Sequence, residues 1–231
     1  MLPPLRTFDI LLTIGLIIYT VSVMLLTKYV FKLMTEKGIN DEDAVYYDRK
    51  FVHIFAGGVV ALFVPLYSSE WYPLSAGLLL TIITYSFHKD RGRLYWFQTK
   101  KDYNDVNFCL MWGISIFILW RVFDNPWLAI LPAAFMAFGD GITGIVRNIL
   151  FRKRLKHPIG NLFMAMVCIP IGYILGGIGG IALGGIIAGL LASIVERYEF
   201  GIIDDNILIT LFSSISLYVY FFATKNIIMP F

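Results

Sequence analysis

The sequence predicts an all-α, polytopic integral membrane bundle of about eight transmembrane helices, on three observations. Of 231 residues, 58% are hydrophobic and 15% charged, with a mean hydropathy of +0.73. A soluble domain usually holds about 45–50% apolar and about 25% charged residues, so this chain carries more apolar surface than one water-soluble core can hide. Apolar stretches near 20 residues, long enough to cross about 30 Å of hydrocarbon at about 1.5 Å per residue, recur along the chain. The basic residues gather in alternate connecting segments. The same composition excludes disordered, collagen-like and disulfide-scaffold classes, and a net charge of +3 is too small to point to nucleic acid.

The expected spans are 8–31, 51–67, 71–87, 105–121, 126–150, 161–177, 180–196 and 206–223, forming one membrane domain over 1–231. The first is too long and too weakly flanked by basic residues for a cleaved signal peptide. It leads into an acidic and basic loop that ends near residue 48. The sixth and seventh share a run without charge from Asn161 to Val195. As a single helix that run would be on the order of 50 Å long, too much for one crossing, so the chain is expected to turn within Gly176-Gly177-Ile178-Gly179-Gly180. Gly172, Gly176, Gly180 and Gly184, and the pair Gly185 and Gly189, recur at four-residue spacing, a close-packing pattern for membrane helices. Cys109 and Cys168 lie in apolar stretches and read as reduced packing cysteines.

Orientation follows from the loops. Sixteen of the 19 Lys and Arg residues fall on one side; only Arg6, Arg121 and Lys225 fall on the other. The basic side is expected to be cytoplasmic in a multi-pass protein of a prokaryotic cell membrane or the endoplasmic reticulum, with both termini outward. Trp71, Tyr72, Trp120 and Trp127 then sit where an outer aromatic belt belongs.

An ionisable residue inside a membrane helix costs about 2.5–3.5 kcal/mol on insertion scales and marks a functional site by default. In the fifth span Asp140, Thr143, Gly144 and Arg147 occupy i, i+3, i+4 and i+7 and line one helical face. Asp140 and Arg147 are about 10 Å apart along the axis, too far for direct contact, so each needs another partner. Downstream, Arg152, Lys153, Arg154 and Lys156 precede Pro158 and a helix restart at Gly160-Asn161, an anion-attracting combination of cations and a helix N-terminus. Glu196, Asp205 and Asn206 flank the next apolar turn on the same side and offer the hard oxygen ligands Mg²⁺ prefers. Arg49, Lys50 and His53 open the second span toward the same surface. His88 and His157 have no metal-ligand spacing, so zinc is not expected, and no GxxxxGK[ST] string is present. Acids for Mg²⁺, bases for phosphates, close-approach glycines and an intramembrane cleft together point to phosphoryl or nucleotidyl transfer to a lipid.

Arg-Lys-x-x-His-x-x-x-Gly at 49–57, Gly-Asp-x₆-Arg at 139–147, Lys-x-x-x-Gly-Asn at 156–161, Glu196 and Asp-Asp-Asn at 204–206 resemble the dolichol kinase and phytol kinase family of integral membrane CTP-transferases, in order over about residues 49–210. The resemblance implies Mg²⁺-dependent transfer of the γ-phosphate of CTP, a nucleoside triphosphate, to a membrane polyisoprenoid alcohol. Together with the residues' own chemistry it implies catalytic roles for Asp140, Lys156, His53 and Glu196, with either an acidic residue or His53 taking the alcohol proton, and metal ligation by Asp140, Glu196, Asp205 and Asn206. The nucleotide phosphates would be held by Gly139, Gly141, Thr143, Arg147, Lys156, Gly160, Asn161, Arg49 and Lys50. The chain departs from the family pattern at Lys-His-Pro-Ile-Gly-Asn, where a Lys-Ser-x-Glu-Gly-Ser-like string is expected, and at Ile142-Thr143, where an Ala-Ser pair is expected. Two other readings stand beside it. One is a CDP-lipid synthase, whose Pro-Gly-His-Gly-Gly and Asp-Arg-x-Asp strings are missing here; the other is a small transporter, whose inverted repeat is also missing. No nucleic-acid partner is expected, and the sequence leaves monomer and homodimer open.

Overall fold

The computed structural model describes residues 6–89, 94–99, 103–151 and 157–228. Among the described residues the chain is helical throughout, apart from connecting turns and one isolated antiparallel bridge between Phe200 and Ile203. Eight long helical segments follow one another: α1 Thr7–Glu36, α2 Asp41–Leu66, α3 Trp71–Lys89, α4 Asn104–Phe123, α5 Pro126–Phe151, α6 Pro158–Ile178, α7 Ala182–Val195 and α8 Asp205–Ile228. Six of them, α1, α2, α4, α5, α6 and α8, are long and apolar enough to cross a membrane. This makes the chain a multi-pass helical membrane protein, with six such helices where the sequence predicts about eight spans. The other two fall short for different reasons: α3 has 19 residues but a less apolar composition, and α7 is apolar but only 14 residues long.

Local chemistry sets the helix starts. Asn40 caps α2, its side-chain oxygen accepting from the backbone N–H of Asp43 at 2.8 Å, and Asn125 caps α5 by accepting from the N–H groups of Trp127 and Leu128. His157 caps α6, which begins at Pro158. Asp204 caps α8, accepting from the N–H of Ile207 at 3.1 Å. Each cap satisfies N–H groups that the first helical turn leaves open.

α5 is the central helix. From Leu128 to Ala137 every residue is buried, as an all-round apolar helix requires. α6 and α7 form the tightest pair, and the turn between them falls at Gly179 and Gly180, where Gly180 adopts φ +85°. A Cβ on Gly185 would collide with the backbone carbonyl of Gly172, and one on Gly189 would come within 2.7 Å of the Cys168 oxygen. These glycines therefore let two backbones meet, the dispersion-driven packing available inside a bilayer. α1 is the least packed helix, with only Asp9 and Thr27 buried. Asp9 ties it to the α2–α3 turn, accepting from Ser68 N–H at 3.1 Å and Ser68 Oγ–H at 2.5 Å. Both cysteines are free thiols, Cys168 fully buried against the core.

Two helices lose α-helical register where they face each other. α2 is π-helical over Val52–Gly58 and α5 over Phe135–Asp140. Such segments are rare and concentrate at functional sites. Here they pack together through reciprocal glycine contacts: a Cβ on Gly58 would lie 2.7 Å from the Phe138 ring, and one on Gly141 2.5 Å from Ile54. The carbonyl of Gly57 accepts a bond from the Trp112 indole N–H on α4 at 3.0 Å.

Candidate active site

The C-terminal part of α5, the start of α6, the end of α7 and the starts of α4 and α8 meet at one end of the bundle, beside the middle of α2. Side-chain bonds tie them together. The Asn206 amide donates to the Asn104 carbonyl at 3.1 Å, Asn107 donates to Asp204 at 3.1 Å, and Asn161 donates to the carbonyl of Ser193. Asp204 lies outside the spanning part of α8. Burial, and then Asp205 beside it, pushes its carboxyl up to about 6, since both disfavour the charged form.

Inside this end lie two buried ion pairs. Lys50 Nζ donates to both oxygens of Asp140 at 2.7 and 2.6 Å, with the side chains 5% and 1% exposed. Arg147 Nη2 donates to Glu196 Oε1 at 2.6 Å and Nη1 to Oε2 at 3.4 Å; Glu196 is wholly buried. Asp140 and Arg147 are thus paired with partners on other helices, the arrangement their seven-residue separation requires. Asp205 completes an acidic set: one carboxylate oxygen from each of Asp140, Glu196 and Asp205 lies within 4.8 Å of the others, and all three residues are buried. Asp205 also acts electrostatically on both Lys50 and Arg147.

His53 Nδ1 stands 3.5 Å from Asp140 Oδ2, and Nε2 has no hydrogen-bond partner although the residue is 3% exposed. Its ring stacks on Phe108 with centroids 4.0 Å apart, which fixes the imidazole beside Asp140. Arg49 is buried, with its guanidinium 5.7 Å from the centre of the Tyr46 ring. Both cationic stems of the ion pairs run over bare backbone. A Cβ on Gly144 would strike Lys50 Cε and come within 2.6 Å of the Tyr46 hydroxyl, and one on Gly160 would lie 2.7 Å from Arg147 Cδ.

The structure therefore brings together Asp140, Glu196, Asp205, Lys50, Arg147 and His53, with Gly160 beneath Arg147. Other expected binders are engaged within the scaffold. Thr143 donates to the carbonyls of Gly139 and Gly160 at 2.8 and 3.3 Å, Gly139 packs on Cys168 and Met164, and Gly141 packs on Ile54. Asn161 braces α7 through the Ser193 carbonyl. Asn206 points its amide nitrogen at Asn104 and Asp204, while its amide oxygen is buried without a partner. Lys156 lies outside the described residues.

Two residues here escape the motif reading. Tyr46 covers Lys50, whose Nζ is 5.5 Å from the ring centre. Its place four residues before Lys50, on the same helical face, is the signal that could have found it. Asp48 is fully buried with both carboxylate oxygens unpartnered; its position opening the charged triplet Asp48-Arg49-Lys50, just before the expected second span, makes it read as an exposed loop residue.

Donor chemistry and spacing suit a hard divalent cation. Oxygens sharing a Mg²⁺ ion at about 2.1 Å each are separated by up to about 4 Å, within a small side-chain adjustment of the spacing here. No protein family, curated protein or solved structure matches this chain.

Proposed function

We propose that this protein is a Mg²⁺-dependent lipid kinase that moves the γ-phosphate of CTP to a polyisoprenoid alcohol, as in the dolichol and phytol kinases it resembles. In this reading all eight long helices cross the membrane, and the acidic cluster opens on the cytoplasmic side. The observation that carries it is the convergence of three buried carboxylates with Lys50 and Arg147 at one end of the bundle. Phosphoryl transfer asks a protein chiefly for position and charge neutralisation, and these are what the cluster supplies.

Asp140, Glu196 and Asp205 would hold Mg²⁺, which would neutralise negative charge on the nucleotide phosphates. The residues of the chain do the rest. Lys50, Arg147 and Arg49 stabilise the oxygens of the transferring group and the CDP that leaves as the bond to the β–γ bridging oxygen breaks. The alcohol oxygen forms the new bond to phosphorus. His53, whose Nδ1 faces Asp140 and whose Nε2 has no partner, accepts the alcohol proton. Burial of the site excludes water, the competing nucleophile.

The test is transfer of radiolabel from CTP to a short polyprenol by the purified protein. Label from the γ position reaches the lipid in a kinase, and label from the α position in a CDP-lipid synthase. Asp140→Asn and Lys156→Ala should each abolish γ-label transfer without lowering the yield of folded protein; full activity in both refutes the assignment. Substrate-driven uptake into proteoliposomes without chemistry would identify a transporter instead.

A further inference from the structure

We infer, building on the phosphotransfer reading, that this site binds a divalent cation and a polyphosphate only as a pair, because Lys50 and Arg147 cover the carboxylates that the cation needs. Each cover is a direct, buried ion pair: Lys50 on both oxygens of Asp140, and Arg147 on both oxygens of Glu196. A cation arriving alone must displace them. That leaves an ammonium and a guanidinium buried without partners, and an uncompensated buried charge is strongly destabilising. A polyphosphate arriving alone meets the opposite fault: its oxygens gain Lys50 and Arg147 but are pressed against Asp140, Glu196 and Asp205, which lie within 4.8 Å of one another.

When both arrive, every charge keeps a partner. The cation takes the carboxylates and the phosphates take the two displaced bases. Gly144 under Lys50 and Gly160 under Arg147 put no side chain of their own against either stem, so neither stem is blocked on that side. His53 is an independent sign that a ligand belongs here, being buried with Nδ1 toward Asp140 and Nε2 without a partner. By linkage, each ligand must raise the affinity for the other by the same factor.

The experiment uses the full chain in detergent micelles, with Mn²⁺ followed by electron paramagnetic resonance and pyrophosphate by calorimetry, each alone and then together. The expected result is that each ligand raises the affinity for the other by about tenfold or more, roughly 1.4 kcal/mol, beyond the Mn²⁺–pyrophosphate association measured in buffer. Lys50→Met should bind Mn²⁺ alone more tightly than the parent, with the coupling factor falling toward one; a merely structural lysine would weaken both ligands. Equal Mn²⁺ affinity with and without pyrophosphate in the parent protein overturns the inference, whether or not the variant folds. Coupled binding by a protein that transfers no label from CTP would retire the kinase reading and keep this inference. Label transfer with uncoupled binding would do the reverse.

Discussion

Replacing Arg147 by Met tests the energetics of the site apart from its chemistry. The guanidinium holds both oxygens of Glu196 at 2.6 and 3.4 Å, and Glu196 has no exposed surface. Charge centres about 4 Å apart attract by about 4 kcal/mol at an effective dielectric of about 20, and removing one partner of a buried pair costs about 3–5 kcal/mol. Arg147→Met should therefore lose about that much stability. At roughly 2–4 °C per kcal/mol for a chain of this size, the thermal midpoint in micelles should fall by about 6–20 °C. Glu196→Met should behave similarly if Asp140 and Asp205 leave Arg147 only partly compensated. The double variant, which buries no charge at this position, should recover most of the loss, because a buried ion pair contributes little over an apolar pair of similar volume. Activity should be absent in all three. Single variants within about 1 kcal/mol of the parent, or a double variant no more stable than either single one, would refute the buried-pair account.

Other expectations follow from the packing. Gly144→Ala should cut γ-label transfer at least about tenfold and also lower the thermal midpoint, since the new methyl displaces Lys50 from Asp140 and disrupting a buried pair costs about 3–5 kcal/mol, more than the up to about 1 kcal/mol the helix gains from the Gly to Ala change. Gly185→Ala should cost about 1–3 kcal/mol or more by overpacking against the Gly172 backbone, while Gly15→Ala, with nothing within 4 Å, should be neutral or mildly stabilising in the same melt. Ile202, 88% exposed at the α7–α8 turn, tests the orientation. A cysteine there should react with a membrane-impermeant maleimide only when the cytoplasmic face is accessible; labelling from the outside would reverse the assignment.

Much of the site was legible because its residues violate the composition around them. Asp140, Arg147 and Glu196 stand out in apolar stretches, and each is central to the cluster. The roles of individual groups were less legible. Lys50 reads as a phosphate binder by charge, yet in the structure it neutralises Asp140. Thr143 and Asn161 read as ligands by type, and in the structure they donate to the backbone carbonyls of Gly139, Gly160 and Ser193, bonds that sequence type alone does not reveal. Such roles depend on which acceptor lies nearest in three dimensions. The π-helical segments were also invisible, since they arise where α2 and α5 interlock.

The sequence by itself determined that the chain is a helical membrane protein, where its helices lie, that Gly176–Gly180 holds a turn, and which charged residues lack an anchoring reason. These follow from hydropathy, charge placement and glycine spacing, which are properties of short windows. Only the tertiary structure decided which charge meets which. Lys50 and Asp140 are 90 residues apart, and Arg147 and Glu196 are 49 apart. Inside a bundle that excludes water, such pairings are set by where helices cross, and they turn a scatter of scarce charges into one buried, nearly balanced site.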